Sequence, residues 1–132
     1  QERMIASQAR GPLTDPEYLS AMGTIQKANR EDGIDRLMRE HNLDAIVAPT
    51  RDIPWPTDHI KGDRSDGGSS AGPAAIAGYP DISVPMGFVS GLPVGVSFFG
   101  RAWSEPTLIK IAYAYEQATQ HRRAPTFAET LG

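Results

Sequence analysis

A glycine- and serine-rich stretch, Asp66 to Gly72, carries the most informative chemistry in the chain and reads Asp-Gly-Gly-Ser-Ser-Ala-Gly. Its two adjacent glycines can adopt backbone dihedral angles that a side chain would forbid. The two serines that follow place hydroxyl groups beside backbone N–H groups. Such a segment can bind an anion, or can hold a nucleophilic serine next to an oxyanion hole. The types and spacing of these residues therefore suggest a serine hydrolase.

Ser69 and Ser70 are the candidate nucleophiles, and a serine nucleophile needs a base that removes its proton. His59 and Lys61 are nearby in the sequence, but a lysine base needs burial to lower its pKa, and Lys61 lies in a polar stretch. The segment does not follow a predicted strand, as the nucleophile elbow of α/β-hydrolases does, and it lacks the Gly-Lys-Ser/Thr ending of a P-loop. We therefore favour a role in lining a pocket or capping a helix, while a Ser-His-Asp arrangement with His59 stays open.

Length, charge and composition restrict the classes of function. The 132 residues correspond to one domain, and the formal net charge of −3 is spread along the chain without the basic stripe typical of nucleic-acid binding. No apolar run approaches the roughly 20 residues of a membrane span, and no signal peptide is visible. The dispersed histidines and the absence of cysteine give no metal-ligand pattern. We therefore expect a cytoplasmic protein without a nucleic-acid partner, a membrane partner, a metal or a cofactor.

Hydrophobic periodicity predicts that the first third of the chain is helical. The chain begins at Gln1 and is amphipathic at once, and we interpret this as a sign that sequence on its N-terminal side has been cut away. Thr14 and Glu17 match the pattern of a capping box. The apolar residues that follow recur at helical spacing, which predicts a helix over residues 15–41 with a break or kink near Gly33.

Short apolar runs then predict strands and further helices around a long loop. Residues 43–48 form an apolar run closed by a proline, as in a buried strand. The loop over residues 49–73 contains tryptophan and isoleucine, which favours a functional loop over a disordered linker. Gly95 within a strand indicates a bulge or a close backbone approach. The remaining predicted elements are a short helix at 73–77, a strand at 82–84, a hairpin formed by 88–89 and 94–99, and an amphipathic helix from Ser104 to about Thr119.

From Leu43 to about Phe127, the chain resembles the C-terminal region of the amidase signature family. The matching segments are LDAIVAPT (43–50), AGYPDISVPMGF (77–88), GLPVGVSFFG (91–100), SEPTL (104–108) and YEQAT (115–119). Their order and spacing agree with the family, and the predicted helix at 15–41 is similar to the one that precedes this region. The resemblance therefore covers nearly the whole chain.

This resemblance implies both a fold and a chemistry. Family members are larger enzymes that hydrolyse amide bonds, or that release ammonia from an amide for transfer. The implied fold is α/β, a mixed-sheet core flanked by helices, of which this chain contains only a part. The implied mechanism is Ser-Ser-Lys: a lysine acts as base, a bridging serine relays the proton, and a second serine attacks the carbonyl. All three belong to the N-terminal and central portion of the family, so we expect no catalytic residue in this chain.

Residues 67–72 mimic the family's Gly-Gly-Ser-Ser-Gly-Gly signature, but their position differs. In the family the signature lies far upstream of the Gly-Tyr-Pro element, whereas here it is close to that element, and Ala71 replaces a glycine. By the resemblance, the segment 65–74 lines the substrate side of the pocket. We therefore predict a substrate-binding role, and no covalent one, for Ser69, Ser70 and Pro73, with Thr50 at the end of a buried strand as a further candidate.

The organisation expected from these observations is a single unit, the C-terminal portion of an amidase whose substrate is a small amide. Its parts are a helical lead (1–42), a sheet and pocket region (43–100), and a C-terminal helix and tail (101–132). Alone, the chain is expected to be inactive. Two alternatives stay open: a non-enzymatic module that associates through exposed sheet edges, and a small self-contained hydrolase that uses Ser69 or Ser70 with His59.

Overall fold

The structure is a computed structural model that describes residues 1–55, 57–60, 62 and 67–127. Lys61 and Asp66, which the sequence singles out, lie outside these described residues. None of the helices within them is long and apolar enough to cross a membrane. In chain order the elements are α1 (Glu2–Gln8), α2 (Pro16–Asn29), a widened turn (Arg30–Ile34), α3 (Asp35–Glu40), β1 (Ile46–Pro49), α4 (Ala71–Ala77), β2 (Asp81–Val89), β3 (Leu92–Phe99) and α5 (Glu105–Thr119).

The predicted long helix is present, with the expected kink. Gly33 has non-helical backbone angles (φ −104°, ψ −108°) between α2 and α3, and a Cβ atom there would lie 2.8 Å from the carbonyl oxygen of Ala28. The predicted cap is wrong by one residue. Asp15, not Thr14, caps α2, because its carboxylate accepts a hydrogen bond of 2.9 Å from the backbone N–H of Glu17.

The three strands form one sheet in the order β1-β3-β2, in which β3 pairs antiparallel with both neighbours. The α/β class is therefore confirmed, and both strand pairings among the described residues are antiparallel. The register places Ser97 of β3 opposite Ala48 on one side and Ser83 on the other. β2 continues through a bulge between Pro85 and Gly87, so the two short strands predicted there form a single element.

Two small apolar clusters hold the helices against opposite faces of the sheet. Because side chains alternate along a strand, Val96 and Phe98 face one side of β3, whereas Ser97 and Phe99 face the other. The first cluster joins the sheet to α5 and contains Val96, Phe98, Leu108 and Ala112. The second cluster joins it to α3 and α4 and contains Ile34, Met38, Ala74, Ala77 and Phe99. Beyond Phe99, the second face continues as Ser97 and its neighbours, which no described helix covers with a cluster of this kind.

Tyr79 ties the loop before β2 to the helical lead. Its hydroxyl donates a hydrogen bond of 2.8 Å to a carboxylate oxygen of Asp35. The guanidinium of Arg30 lies over the Tyr79 ring, 5.7 Å from its centre, and donates to the carbonyl oxygen of Ala77. Burial, together with the hydrogen bond to Asp35, raises the pKa of Tyr79 above its ordinary value. The phenol is therefore held in its neutral form.

This contact predicts how stability depends on pH. Because the folded pKa of Tyr79 exceeds the unfolded one, its contribution is fully present below pH ~10 and is lost as the pH rises through the folded pKa. Tyr79→Phe is expected to lower the free energy of unfolding by about 1 kcal/mol at neutral pH, with a shallower fall above pH ~10. Urea titrations at several pH values would measure this. Tyr113→Phe, at a tyrosine on α5 that is 62% exposed, is the control and should change neither quantity; equal effects of the two substitutions would contradict the assignment.

The chain exposes far more surface than a compact protein of its size. Its accessible surface is 10355 Å², whereas the scaling for compact monomers gives about 6,800 Å². Large apolar side chains remain exposed on β1 (Val47) and on α5 (Ile109 and Tyr113). Within the described residues, β1 and β2 each pair with β3 alone, so their outer edges are open. Both features are those expected of part of a larger sheet protein.

Candidate functional site: a cleft with a hydroxyl floor

A cleft of about 640 Å³ lies over the uncovered part of the sheet. The loop that follows β1 forms one wall, and the β2–β3 hairpin forms the other. Apolar side chains dominate its lining: Pro54, Trp55, Val84, Pro85, Pro93 and Val94. The polar residues that line it are Thr50, Arg51, Asp52, Thr57 and Ser83. The cleft can therefore hold an apolar group while a few polar atoms fix its orientation.

Three side-chain hydroxyls form a closed triangle at the sheet side of this cleft, and we call Thr50, Ser83 and Ser97 the hydroxyl triad. The Oγ atoms of Ser83 and Ser97 are 2.7 Å apart, and Oγ1 of Thr50 lies 3.0 Å from Ser97 Oγ. Thr50 Oγ1 also donates to Ser83 Oγ at 3.3 Å. Ser97 is fully buried (0% exposed), whereas Thr50 and Ser83 reach the cleft. Strand register accounts for the triad, since Ser83 and Ser97 are paired across β2 and β3.

The backbone of Thr50 is fixed on both sides. Its N–H donates to the carbonyl oxygen of Gly95 at 2.8 Å, and its own carbonyl oxygen accepts from the N–H of Ser70 at 3.3 Å. Gly95 makes the close approach that the sequence predicts, because a Cβ atom there would lie 2.8 Å from Thr50 Oγ1. Only a residue without a side chain allows Thr50 to lie this close to β3, so the position of the triad depends on Gly95.

Ser69 and Ser70 contact the same residue from below. Both hydroxyls donate to the carbonyl oxygen of Thr50, at 3.2 Å and 3.3 Å respectively. Ser70 is 8% exposed, whereas Ser69 and Pro73 are exposed. The structure thus brings Thr50, Ser69 and Ser70 together, but only Thr50 among the four predicted site residues lines the cleft. A direct contact of Ser69, Ser70 or Pro73 with substrate stays a prediction.

The loop walls are held by two further contacts. The carboxylate of Asp52 accepts a hydrogen bond of 2.6 Å from the N–H of Gly67, which ties the glycine–serine segment to the end of β1. A Cβ atom at Gly67 would lie 1.7 Å from this carboxylate, so glycine is required there. The guanidinium of Arg51 lies over the ring of Trp55, 5.5 Å from its centre. These contacts shape the cleft around its hydroxyl floor.

The contacts described for Ser69 and Ser70 are those of structural hydroxyls. Among the described residues, their hydrogen bonds run to the backbone of Thr50 and Ala71, and none joins them to His59. A nucleophilic serine needs a base within hydrogen-bond reach. The described part of the chain therefore shows an arrangement that can bind and orient a substrate, but shows no serine–base pair.

Comparison with known proteins places this cleft in an enzyme family. The family model described as amidase matches residues 2–109. The chain belongs to the amidase family. It is 38% identical over 128 residues to a probable amidase of Arabidopsis thaliana, a match that covers 96% of this chain and 21% of that protein.

Solved structures agree with this amidase assignment. The chain is similar to the native peptide amidase from Stenotrophomonas maltophilia, with a TM-score of 0.86 and 47% identity over 98% of this chain and 26% of that one. It is also similar to a subunit of the glutamyl-tRNA(Gln) amidotransferase from Thermotoga maritima, with a TM-score of 0.59 and 31% identity over 80% of this chain and 23% of that one. The chain thus spans about a fifth to a quarter of the length of these relatives.

Sequence reasoning about the amidase resemblance missed two members of the triad. Ser83 and Ser97 each lie between apolar residues of a strand, in Ile82-Ser83-Val84 and Val96-Ser97-Phe98. A serine on the side of the sheet that also carries core residues is a signal, because a buried hydroxyl must find a partner. Its partner could not be named without the register, which pairs Ser83 with Ser97.

Proposed function

We propose that this chain is the C-terminal part of an enzyme that hydrolyses carbon–nitrogen amide bonds, and that it supplies one wall of the substrate cleft. The bond-breaking residues, by the resemblance a lysine and two serines, lie outside these 132 residues. On its own the chain does not hydrolyse amides. In the complete enzyme its substrate is a small amide with an apolar group, which Trp55 and the proline and valine side chains of the cleft accommodate.

The observation that carries this proposal is the cleft itself, which has a fixed hydroxyl floor but no serine–base pair in the described part of the chain. Membership of the amidase family supplies the reaction class. The large exposed surface and the open outer edges of β1 and β2 fit a chain that completes a larger sheet.

A hybrid enzyme tests the proposal. This chain would replace the matching quarter of the Stenotrophomonas maltophilia peptide amidase, to which it is 47% identical. The hybrid and the isolated chain would be assayed for ammonia release from N-acetylphenylalanine amide, a primary amide with an apolar side chain. The hybrid is expected to turn over the amide, and the isolated chain is not. A soluble, folded hybrid without activity, or an isolated chain with the activity of the hybrid, would contradict the proposal.

Association with a partner is the second candidate function, because the exposed surface and open strands also favour self-association. Size-exclusion chromatography with light scattering on the isolated chain distinguishes the two. Concentration-dependent dimers together with an inactive hybrid would favour a non-enzymatic module. A monomer at all concentrations together with an active hybrid would favour the amidase part.

A further inference from the structure

The hydrogen atoms of the hydroxyl triad can be assigned from its geometry. A hydroxyl group has one proton to donate and two lone pairs that accept. The Thr50 hydroxyl donates to Ser83, so its contact with Ser97 must have Ser97 as the donor. The Ser97 proton is then used, and Ser83 must be the donor to Ser97. The three protons therefore run in one direction around the triangle: Thr50 to Ser83, Ser83 to Ser97, and Ser97 to Thr50.

This assignment fixes what the triad can offer to a ligand. Each hydroxyl donates once and accepts once within the triangle, so each keeps one lone pair and no free proton. Ser97 is fully buried, which leaves Thr50 and Ser83 as the members that reach the cleft. Both therefore face the cleft as hydrogen-bond acceptors. Hydrogen bonds that run in one direction around a ring strengthen one another, so the ring resists reversal.

The backbone contacts of Thr50 keep these acceptors in place. Its N–H is bonded to Gly95, and its carbonyl oxygen accepts from Ser69 and Ser70. The position of the Thr50 oxygen is thus set before a ligand arrives, which lowers the entropy that binding must cost. Ser69 and Ser70 act here as positioning residues.

We propose that Thr50 and Ser83 accept a hydrogen bond from an N–H group of the substrate and make the enzyme selective for substrates that carry it. The cleft shows no bond-breaking pair, so it holds a part of the substrate away from the reacting bond. In a peptide-like amide, the donor available there is the N–H on the acyl side of the scissile carboxamide. This inference rests on the proposed amidase function and adds the hydrogen-bonding class of its substrate.

The test compares two substrates of the hybrid enzyme that differ in one atom. The first is N-acetylphenylalanine amide, and the second is 2-acetoxy-3-phenylpropanamide, in which an ester oxygen replaces the acyl-side N–H. The hybrid is expected to prefer the first by about tenfold in kcat/KM, mainly through KM, as one lost hydrogen bond predicts. Ser83→Ala, at an exposed position, is expected to reduce this preference to about threefold or less.

Three further variants keep the test specific. Ser83→Thr retains the oxygen and should retain the preference, whereas Thr50→Val removes the second acceptor and should reduce it like Ser83→Ala. Ser20→Ala, on the exposed surface of α2, should leave the preference of the hybrid intact. A hybrid that hydrolyses both compounds without preference, or whose preference Ser83→Ala and Thr50→Val do not change, overturns this inference and leaves the proposed function standing. A folded hybrid that hydrolyses neither compound overturns both.

Discussion

Ser97→Val is expected to lower the free energy of unfolding by about 3 kcal/mol and to reduce hydrolysis by the hybrid enzyme about tenfold or more. Ser97 is fully buried on the central strand, so valine must fit additional carbon atoms between β1 and β2. It also removes the proton donor of Thr50 and the acceptor of Ser83. Both cleft oxygens then lose their fixed positions, and their positions are what the cleft contributes to binding.

Ser97→Ala and Ser97→Thr separate these two causes. Alanine removes the hydroxyl without adding volume and should cost about 1 kcal/mol, whereas threonine keeps the hydroxyl and adds one methyl group. Urea denaturation and steady-state assays of the hybrid measure both effects. If Ser97→Val is as stable and as active as the parent hybrid, the triad neither packs nor positions as the structure indicates.

Leu108→Ala is expected to lower the free energy of unfolding of the 132-residue chain by about 3 kcal/mol. Leu108 is 1% exposed and packs in the cluster that joins α5 to Val96 and Phe98. The described core is small, so the cavity left by alanine removes a large part of the contact between α5 and the sheet. Far-ultraviolet circular dichroism during urea denaturation measures the loss.

Ile109→Ala is the matched control on the same helix. Ile109 is 57% exposed, and alanine has the higher helix propensity, so the change in stability should be within about 0.5 kcal/mol. Equal losses for Leu108→Ala and Ile109→Ala would mean that α5 is packed on a different face from the one in the structure.

The helices and strands could be predicted from the sequence because their signals are local. The kink at Gly33 and the helix from Glu105 to Thr119 follow from helical periodicity and from glycine within it. The N-cap of α2 could not be assigned, because Thr14 and Asp15 both accept hydrogen bonds from a first helical turn and only the backbone geometry decides between them. Asp15 makes this contact.

The site was harder to predict, because its residues come together across the sheet. Thr50 could be proposed from its place at the end of a buried strand, and Gly95 from its place inside one. Ser83 and Ser97 could not, since their significance depends on a register that the sequence does not reveal. For the same reason, Ser69 and Ser70 were assigned to the pocket wall, whereas the contacts described for them are to the carbonyl oxygen of Thr50.

The central claim is that this chain shapes the substrate cleft and that the bond is broken by residues elsewhere in the enzyme. The most direct test is the kcat of the hybrid enzyme in which Ser69 and Ser70 are both replaced by alanine. Since these serines position Thr50, kcat is expected to fall by no more than about tenfold. A fall of about 10⁴-fold or more, the usual effect of removing a nucleophile, would show that the reaction uses a serine of this chain and would contradict the account.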